Sequence, residues 1–407
     1  VNCRFCGSEL EHTFIDLGYA PPANAYLTKA DLSAPEHYYP LKTKVCGNCW
    51  LVQTEDYARP EELFKPDYAY FSSTSCSWLS HAQHYAQKIV SLLKLTTDSF
   101  VIEVGSNDGY MLKHFVAAGI PCLGIEPTAD TAAAAADQGI DVVQEFFGET
   151  LAEELIIQGK QADLIIGNNV YAHVPDIVDF TRGIKTALKP HGVVTLEFPH
   201  IMELIRFTQF DTIYHEHFSY LSLFTVTQIF REANLRIWDV ERLQTHGGSL
   251  RVFGCHIDDS RENHTSVNQV LKEEQEFGLK DLRTYAKAQS RAEKIKDELL
   301  SFLLEQKNLG KKVAAYGAAA KGNTILNFAG VKPDLLPFVC DAATSKQGKY
   351  MPGSHIPIYS PEWIGQEEID FLLILPWNIR EEVQLQNAVL EEKGVQFVTA
   401  VPSLTIK

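Results

Sequence analysis

From Ser99 to Pro199 the chain alternates short apolar runs with helix-forming segments, and the runs stop at turn residues. "FVIEVGSNDG" is a buried strand ending in a glycine turn, and "YMLKHFVAAG" is the helix after it. "CLGIEP" is a second strand, "TADTAAAAADQG" a second helix and "DVVQEFF" a third strand. "ADLIIGNNVYAHV" adds a fourth strand with its loop, "IVDFTRGIKTALKPHG" a helix and "VVTLEFP" a fifth strand. Strands separated by helices pair in parallel, so the alternation predicts an α/β sheet with helices on both faces. At 407 residues the chain is too long for one ordinary core, which predicts further domains.

Upstream, "CRFCG" and "CGNCW" place Cys3/Cys6 and Cys46/Cys49 in two C-x2-C knuckles. A glycine after or between each pair allows the tight turn that aims two sulfurs at one ion. A tetrahedral Zn²⁺ would offset the small core of such a segment, and four thiolates close its shell, so the ion is structural. The alternative is reduced cysteines in hairpins. Cys76, Cys122, Cys255 and Cys340 have no partner spacing and read as small buried apolar residues.

A proline-containing loop then leads to an amphipathic helix from about Ser77 to Leu93. Tyr68 and Tyr70, just before it, either staple a core or face a ligand. From about 263 to 308 a charged stretch with helical apolar spacing reads as one or two packed helices. A second α/β unit follows, with "KKVAAYGAAAKGNTILNFAG", "LLPFVCDAAT" and "IDFLLIL" carrying its strands. The expected domains are 1–58, 59–261 and 262–407.

A formal net charge of -16 argues against a nucleic-acid partner, which needs a basic face. No run of about 18 apolar residues suggests a membrane span. The opening "VNCRFCG" lacks the basic and apolar regions of a secretory signal, so a cytoplasmic protein is expected, as a monomer or weak oligomer.

The turn "EVGSNDG" lets the backbone bend at Gly105 and approach closely at Gly109, although its spacing is not G-x-G-x-x-G. Glu126, at the end of the next strand, can accept both ribose hydroxyls of an adenosine cofactor. Glu103 and Asp108 suit a cationic or amine-bearing ligand. In "THGGSLRVF", Gly247 and Gly248 allow close approach of a ligand while His246, Ser249 and Arg251 present donors. "YGAAAKGNT" ends a strand and opens a helix, so its amides, with Lys321 and the adjoining Gly322 and Asn323, suit a pyrophosphate. The alternative there is a small-residue turn used for packing.

The run "VIEVGSNDGYMLKHF", "GIEPTADTA", "FFGE" and "ADLIIGNNVYAHVPD" is similar to the S-adenosylmethionine pocket of class I methyltransferases. With the knuckles, "YHEH", "THGGSLR" and "YGAAAKGNTILN" in order, the whole chain resembles the sugar C-methyltransferases. These act at C-3 of nucleotide-linked 4-keto-deoxy sugars, dTDP conjugates being the implied partners. The resemblance implies a class I methyltransferase Rossmann-like domain between an N-terminal zinc-binding domain and a C-terminal Rossmann-like α/β domain. It places Glu103, Gly105, Asn107 and Gly109, with Ser106 and Asp108, on the methionine side of the cofactor. Glu126, beside Pro127, would hold the ribose, Phe146 and Phe147 flank the adenine, and Asn168 and Asn169 close the loop near the sulfonium. Cys3, Cys6, Cys46 and Cys49 match the zinc ligands.

Carbon methylation needs a base to remove the proton beside the ketone and a donor for the developing enolate oxygen. Histidine is the natural base at neutral pH. The family pattern points to His217 as that base, with Tyr214 and His173 as candidates to hold the keto oxygen or assist proton transfer, and Glu216 to orient a histidine or meet a sugar hydroxyl. In an extended segment His215 would face the same side as His217, in a structural or supporting role. The triplet "HEH" lacks the i, i+4 spacing of a helical metal site. O- or N-methylation of a small molecule, or binding of a nucleotide sugar without catalysis, are the competing readings.

Overall fold

The structure, a computed structural model, describes residues 1–57, 63 and 71–407. The N-terminal part begins with the antiparallel strands β1 (His12–Ala20), β2 (Tyr39–Val45) and β3 (Val52–Thr54). The central part follows with β4 (Val101–Val104), β5 (Cys122–Ile125), β6 (Asp141–Val143), β7 (Ala162–Asn168) and β8 (Leu188–Pro199). β9 (Ser219–Tyr220) leaves that sheet and pairs antiparallel with β3, giving the order β1-β2-β3-β9. β10 (Leu235–Leu243) and β11 (Ser249–His256) return to complete the central order β10-β11-β8-β7-β4-β5-β6.

The strands from β6 to β8 are parallel, as the alternation predicts. β11 is antiparallel to β8 and to β10, and a single 3-10 turn, Thr245–Gly247, joins β10 to β11 as a hairpin. Central-strand residues such as Val101, Ile102, Leu164, Ile165 and Ile166 are buried, the pattern of a sheet covered on both faces.

The C-terminal sheet has the order β14-β13-β12-β15-β16-β17. Its strands are β12 (Val313–Tyr316), β13 (Val339–Cys340), β14 (Ile358–Tyr359), β15 (Phe371–Ile374), β16 (Gln396–Thr399) and β17 (Thr405–Ile406). All neighbours are parallel except β16 and β17.

Six helices matter for the site. α1 (Cys76–Leu93) starts where Ser75 accepts the Trp78 N–H, one residue earlier than the sequence predicts. α2 (Ala129–Ala136) crosses from β5 to β6, and α3 (Leu223–Glu232) follows β9. The charged stretch folds as α4 (Thr265–Phe277) and α5 (Ala288–Asn308) with a short turn of helix between. α4 ends at Gly278, whose φ of 91° suits a left-handed stop. Val267, Val270 and Glu274 share its buried face. The Glu274 carboxylate accepts the Leu223 and Phe224 N–H groups at 2.6 and 2.9 Å, so α4 satisfies the open end of α3. α6 (Ala320–Phe328) follows β12. No described helix is long and apolar enough to cross a membrane.

Candidate active site

A cavity of about 880 Å³ lies at the carboxyl ends of β4, β5 and β7 and continues to those of β12, β13 and β15. In both sheets this is where strand order reverses, the place where open α/β folds leave a crevice. At the first end Gly105 turns with φ 67° and Asn107 with φ 50°. Glu126 accepts the Asn107 N–H at 2.9 Å and the Thr128 N–H at 3.0 Å. Glu126 also accepts the Thr128 hydroxyl at 2.5 Å, and a carboxylate offers about four lone-pair sites, so it keeps capacity for about one hydroxyl from the cavity. Phe146 lines the wall half in solvent, and Phe147 packs edge-on against Phe180 at 5.3 Å. Asn168, 7% exposed, presents an amide with neither atom paired, and Asn169 donates to His246 Nε2 at 3.0 Å.

The middle of the cavity holds His173, Tyr214 and His217. The carbonyl of Thr212 lies 2.7 Å from His217 Nδ1, and a carbonyl can only accept, so Nδ1 carries the proton and Nε2 is left with its lone pair. Tyr214 lies over the His217 ring with centroids 3.9 Å apart, and the His173 ring stands 4.6 Å away. Burial, helped by the nearby His173, holds the His217 pKa well below the usual imidazole value. Burial likewise lowers His173 to about 4. Both rings are therefore neutral at neutral pH.

The far end belongs to the C-terminal sheet. Lys321, in the first turn of α6, donates to Asn378 Oδ1 at 2.7 Å and lies 4.7 Å over the Trp377 ring. Burial lowers its pKa, while the facing Asp211 opposes that shift. Burial pushes Asp211 up to about 6, and its Oδ2 accepts the Trp377 Nε1–H at 2.7 Å. Asp341 and Lys346 complete this wall, 3.5 Å apart.

Several residues expected at the site lie elsewhere. Pro127 lines the cavity beside Glu126, but Glu103, Ser106, Asp108 and Gly109 do not. Glu103 is fully buried, and burial beside Asp108 and Glu126 raises its pKa well above the ordinary carboxylate value. Ser106 points at Gly124, where a Cβ would meet its Oγ at 2.5 Å. Asp108 accepts the Ser73 N–H at 3.0 Å and so seats the loop before α1. A Cβ on Gly109 would meet Ile140 at 2.4 Å, which makes its close approach one to the protein itself.

Arg251 is a correction of a different kind. Cross-strand register sets it opposite Glu197 on β8 and Glu241 on β10. It donates to Glu197 Oε2 at 2.5 Å and lies 4.4 Å over the Tyr85 ring, with a side chain 4% exposed. It is an internal ion pair, not a phosphate ligand. Ser249 donates to the Thr245 carbonyl instead of a ligand. A Cβ on Gly247 would strike Trp377 and one on Gly248 would strike Glu203, so these glycines admit side chains from elsewhere in the chain. Gly322 likewise packs on Leu375, and Asn323 donates to the Ala23 carbonyl. Of the ligand contacts expected from the two motifs, His246 and Lys321 line the cavity, together with the neighbouring Thr245, Gly317 and Ala320. Tyr68 and Tyr70 lie outside the described residues.

The "YHEH" segment is not extended. The His217 N–H donates to the Tyr214 carbonyl at 2.9 Å, closing a turn that sends the histidines apart. His215 contacts the Pro40 carbonyl at 3.2 Å, and Glu216 accepts Asn24 Nδ2 at 2.5 Å. Asn24 lines the cavity, whereas Glu216 does not. The N-terminal part thus reaches the site through Asn24. Asn24, Trp78 and His81 line it without a sequence signal to mark them, since their partners Glu216, His246 and Glu197 come from distant parts of the chain.

A family profile described as "C-methyltransferase C-terminal domain" matches residues 244–402. Others, described as "Methyltransferase domain" and "Putative zinc binding domain", match 78–240 and 3–64. The C-methyltransferase NovU of Streptomyces niveus is 34% identical over 400 residues, covering 98% of this chain and 95% of that one. The chain belongs to the C-methyltransferase family. Among solved structures, the magnesium protoporphyrin IX methyltransferase ChlM of Synechocystis with bound S-adenosylmethionine is 13% identical. It covers 44% of this chain and 81% of that one at a TM-score of 0.33. The YcgJ protein of Bacillus subtilis, also 13% identical, covers 43% and 99% at 0.36. Those two scores are too low to bear on function.

A C-methyltransferase takes its methyl group from S-adenosylmethionine, and the first end of the cavity fits that cofactor. The unpaired Asn168 amide and the spare acceptor capacity of Glu126 answer its polar groups, and Phe146 and Phe147 its flat base. The knuckles also fit their metal. The ligand atoms of Cys3, Cys6, Cys46 and Cys49 lie within 4.8 Å of one another, with two Sγ pairs at 3.5 Å. Zn–S bonds of about 2.3 Å in a tetrahedron require sulfur separations of about 3.8 Å. No fifth ligand stands among them, so the described site is closed and its zinc is structural.

Proposed function

We propose that this C-methyltransferase methylates C-3 of a nucleotide-linked 4-keto-deoxy sugar, dTDP being the nucleotide implied by the family resemblance, with His217 as the general base. The observation that carries the reading is the 2.7 Å contact of His217 Nδ1 with the Thr212 carbonyl, which reserves Nε2 for proton abstraction. A proton beside a ketone is acidic enough for a neutral imidazole when the enolate oxygen is stabilised. His217 Nε2 takes the C-3 proton, and the electron pair moves through C-3 and C-4 onto the ketone oxygen. The Tyr214 hydroxyl and the His173 ring are the donors proposed to hold that oxygen. S-adenosylmethionine, when bound, would supply the electrophilic methyl group: the enolate electron pair forms the C-3–CH3 bond as the S–CH3 bond breaks, leaving S-adenosylhomocysteine. His217 then passes its proton to solvent.

The shape of the cavity supports a substrate with a long charged tail. Its far end collects Lys321 and the first turn of α6, with Lys346 already paired to Asp341 at 3.5 Å, and Lys321 with the α6 amides is the set proposed to meet a pyrophosphate. Glu126, His217 and Lys321 line one cavity, so a sugar nucleotide bound in it beside the cofactor is proposed to meet the base. Glu216, through Asn24, is proposed to position the wall that the sugar touches.

The test incubates the enzyme with labelled S-adenosylmethionine and dTDP-4-keto-6-deoxy sugars, following methyl transfer and solvent-deuterium exchange at C-3. The reading expects both with a 4-keto sugar nucleotide and neither with the 4-hydroxy analogue. Label found on oxygen or nitrogen would overturn it.

A further inference from the structure

Part of what holds the His217 turn traces back to the zinc knuckle through Arg4 and the β3 residue Thr54. Arg4 stands between Cys3 and Cys6, and its side chain is 7% exposed. Its guanidinium donates to the Pro175 carbonyl at 2.7 Å and the Thr54 carbonyl at 2.9 Å, and lies 5.3 Å over the Phe218 ring. Thr54 donates its hydroxyl to the His217 carbonyl at 3.0 Å and its N–H to the Phe218 carbonyl at 3.1 Å. The Phe218 N–H in turn donates to the Ala172 carbonyl at 2.8 Å. Gln53 closes the circuit, donating to Cys3 Sγ at 3.1 Å while its Oε1 accepts the Arg4 N–H at 2.9 Å.

The loop that carries His173 and the turn that carries His217 are therefore tied to one knuckle. The knuckle also has a separate attachment, because Thr225 and Gln228 of α3 both donate to the Cys49 carbonyl. Loosening Thr54 leaves that attachment intact. Base and substrate must meet within a few tenths of an ångström, and a misplacement of about 1 Å costs on the order of 10²-fold in rate.

We propose that the zinc knuckle sets the aim of His217, with Arg4 and Thr54 as its positioning residues. The proposal rests on the reading of His217 as the base. Thr54→Val keeps the shape and removes the hydroxyl donor, and Arg4→Lys keeps the charge and removes the fork that reaches two carbonyls. Each variant should lower kcat and the C-3 exchange rate by about tenfold. Zinc content, the KM for substrate and the Kd for S-adenosylmethionine should stay within about twofold of wild type. Thr54→Ser should recover most of the loss. In ¹⁵N spectra of the histidines, Thr54→Val should shift the His217 ring signals, which a distant structural staple would leave in place.

Wild-type kcat in both zinc-loaded variants would overturn the proposal. So would a loss carried wholly by a lower Tm or by weaker cofactor binding. His217→Asn, measured alongside, separates the two ideas. If it abolishes exchange while Thr54→Val and Arg4→Lys do not, the positioning role fails alone. If it retains exchange, the base assignment fails first.

Discussion

His217 Nδ1 lies 2.7 Å from the carbonyl oxygen of Thr212, and that bond selects the tautomer in which Nε2 is bare. Burial and the neighbouring His173 disfavour the imidazolium, so the ring is a neutral base well below its usual pKa. The acid limb of C-3 exchange should therefore fall below pH 6.5, the ordinary histidine value, with the rate level above it. A pH profile of exchange checks this, and an acid limb centred above 6.5 contradicts it.

The Arg251 guanidinium and the Glu197 carboxylate form a buried pair at 2.5 Å. Removing one member strands the other charge, so Arg251→Ala should lower stability by about 3–5 kcal/mol in urea melts. The folded fraction should keep the substrate KM of wild type. A raised KM with unchanged stability would return Arg251 to the phosphate.

Glu126 holds the turn and faces the cavity. Glu126→Gln replaces a charged acceptor with a neutral one, and hydrogen bonds to charged groups contribute about 1.5–3 kcal/mol. Calorimetry should show S-adenosylmethionine binding weakened by roughly tenfold to a hundredfold. Unchanged affinity would remove Glu126 from the ribose.

Asp211 is buried and its pKa is raised from 3.8 to about 6. A folded-state pKa above the unfolded value adds stability that is complete at low pH and lost as pH rises through about 6. Relative to Asp211→Asn, wild type should thus lose up to about 3 kcal/mol between pH 4 and pH 8. Parallel melts at the two pH values measure the difference, and a constant difference would refute it.

What the sequence reveals and what it hides follow from the range of the interactions. The knuckles are legible because ligand spacing within six residues already sets two sulfurs on one ion, and "GIEP" because a strand end is a local signal. Arg251 misleads because its partners, Glu197 and Glu241, are chosen by strand register and not by sequence neighbours. Gly247 looks like a ligand contact until Trp377, on another sheet's loop, occupies the space beside it. "YHEH" shows its chemistry, but the turn that parts His215 from His217 depends on Thr54 and Pro40 arriving from the N-terminal sheet.

The most direct test of the account compares wild type with His217→Asn for deuterium exchange at C-3 of a dTDP-4-keto-6-deoxy sugar, with S-adenosylmethionine binding measured on the same samples. The account predicts exchange and methyl transfer reduced by at least about 10²-fold with cofactor affinity unchanged. Full exchange in His217→Asn would contradict it.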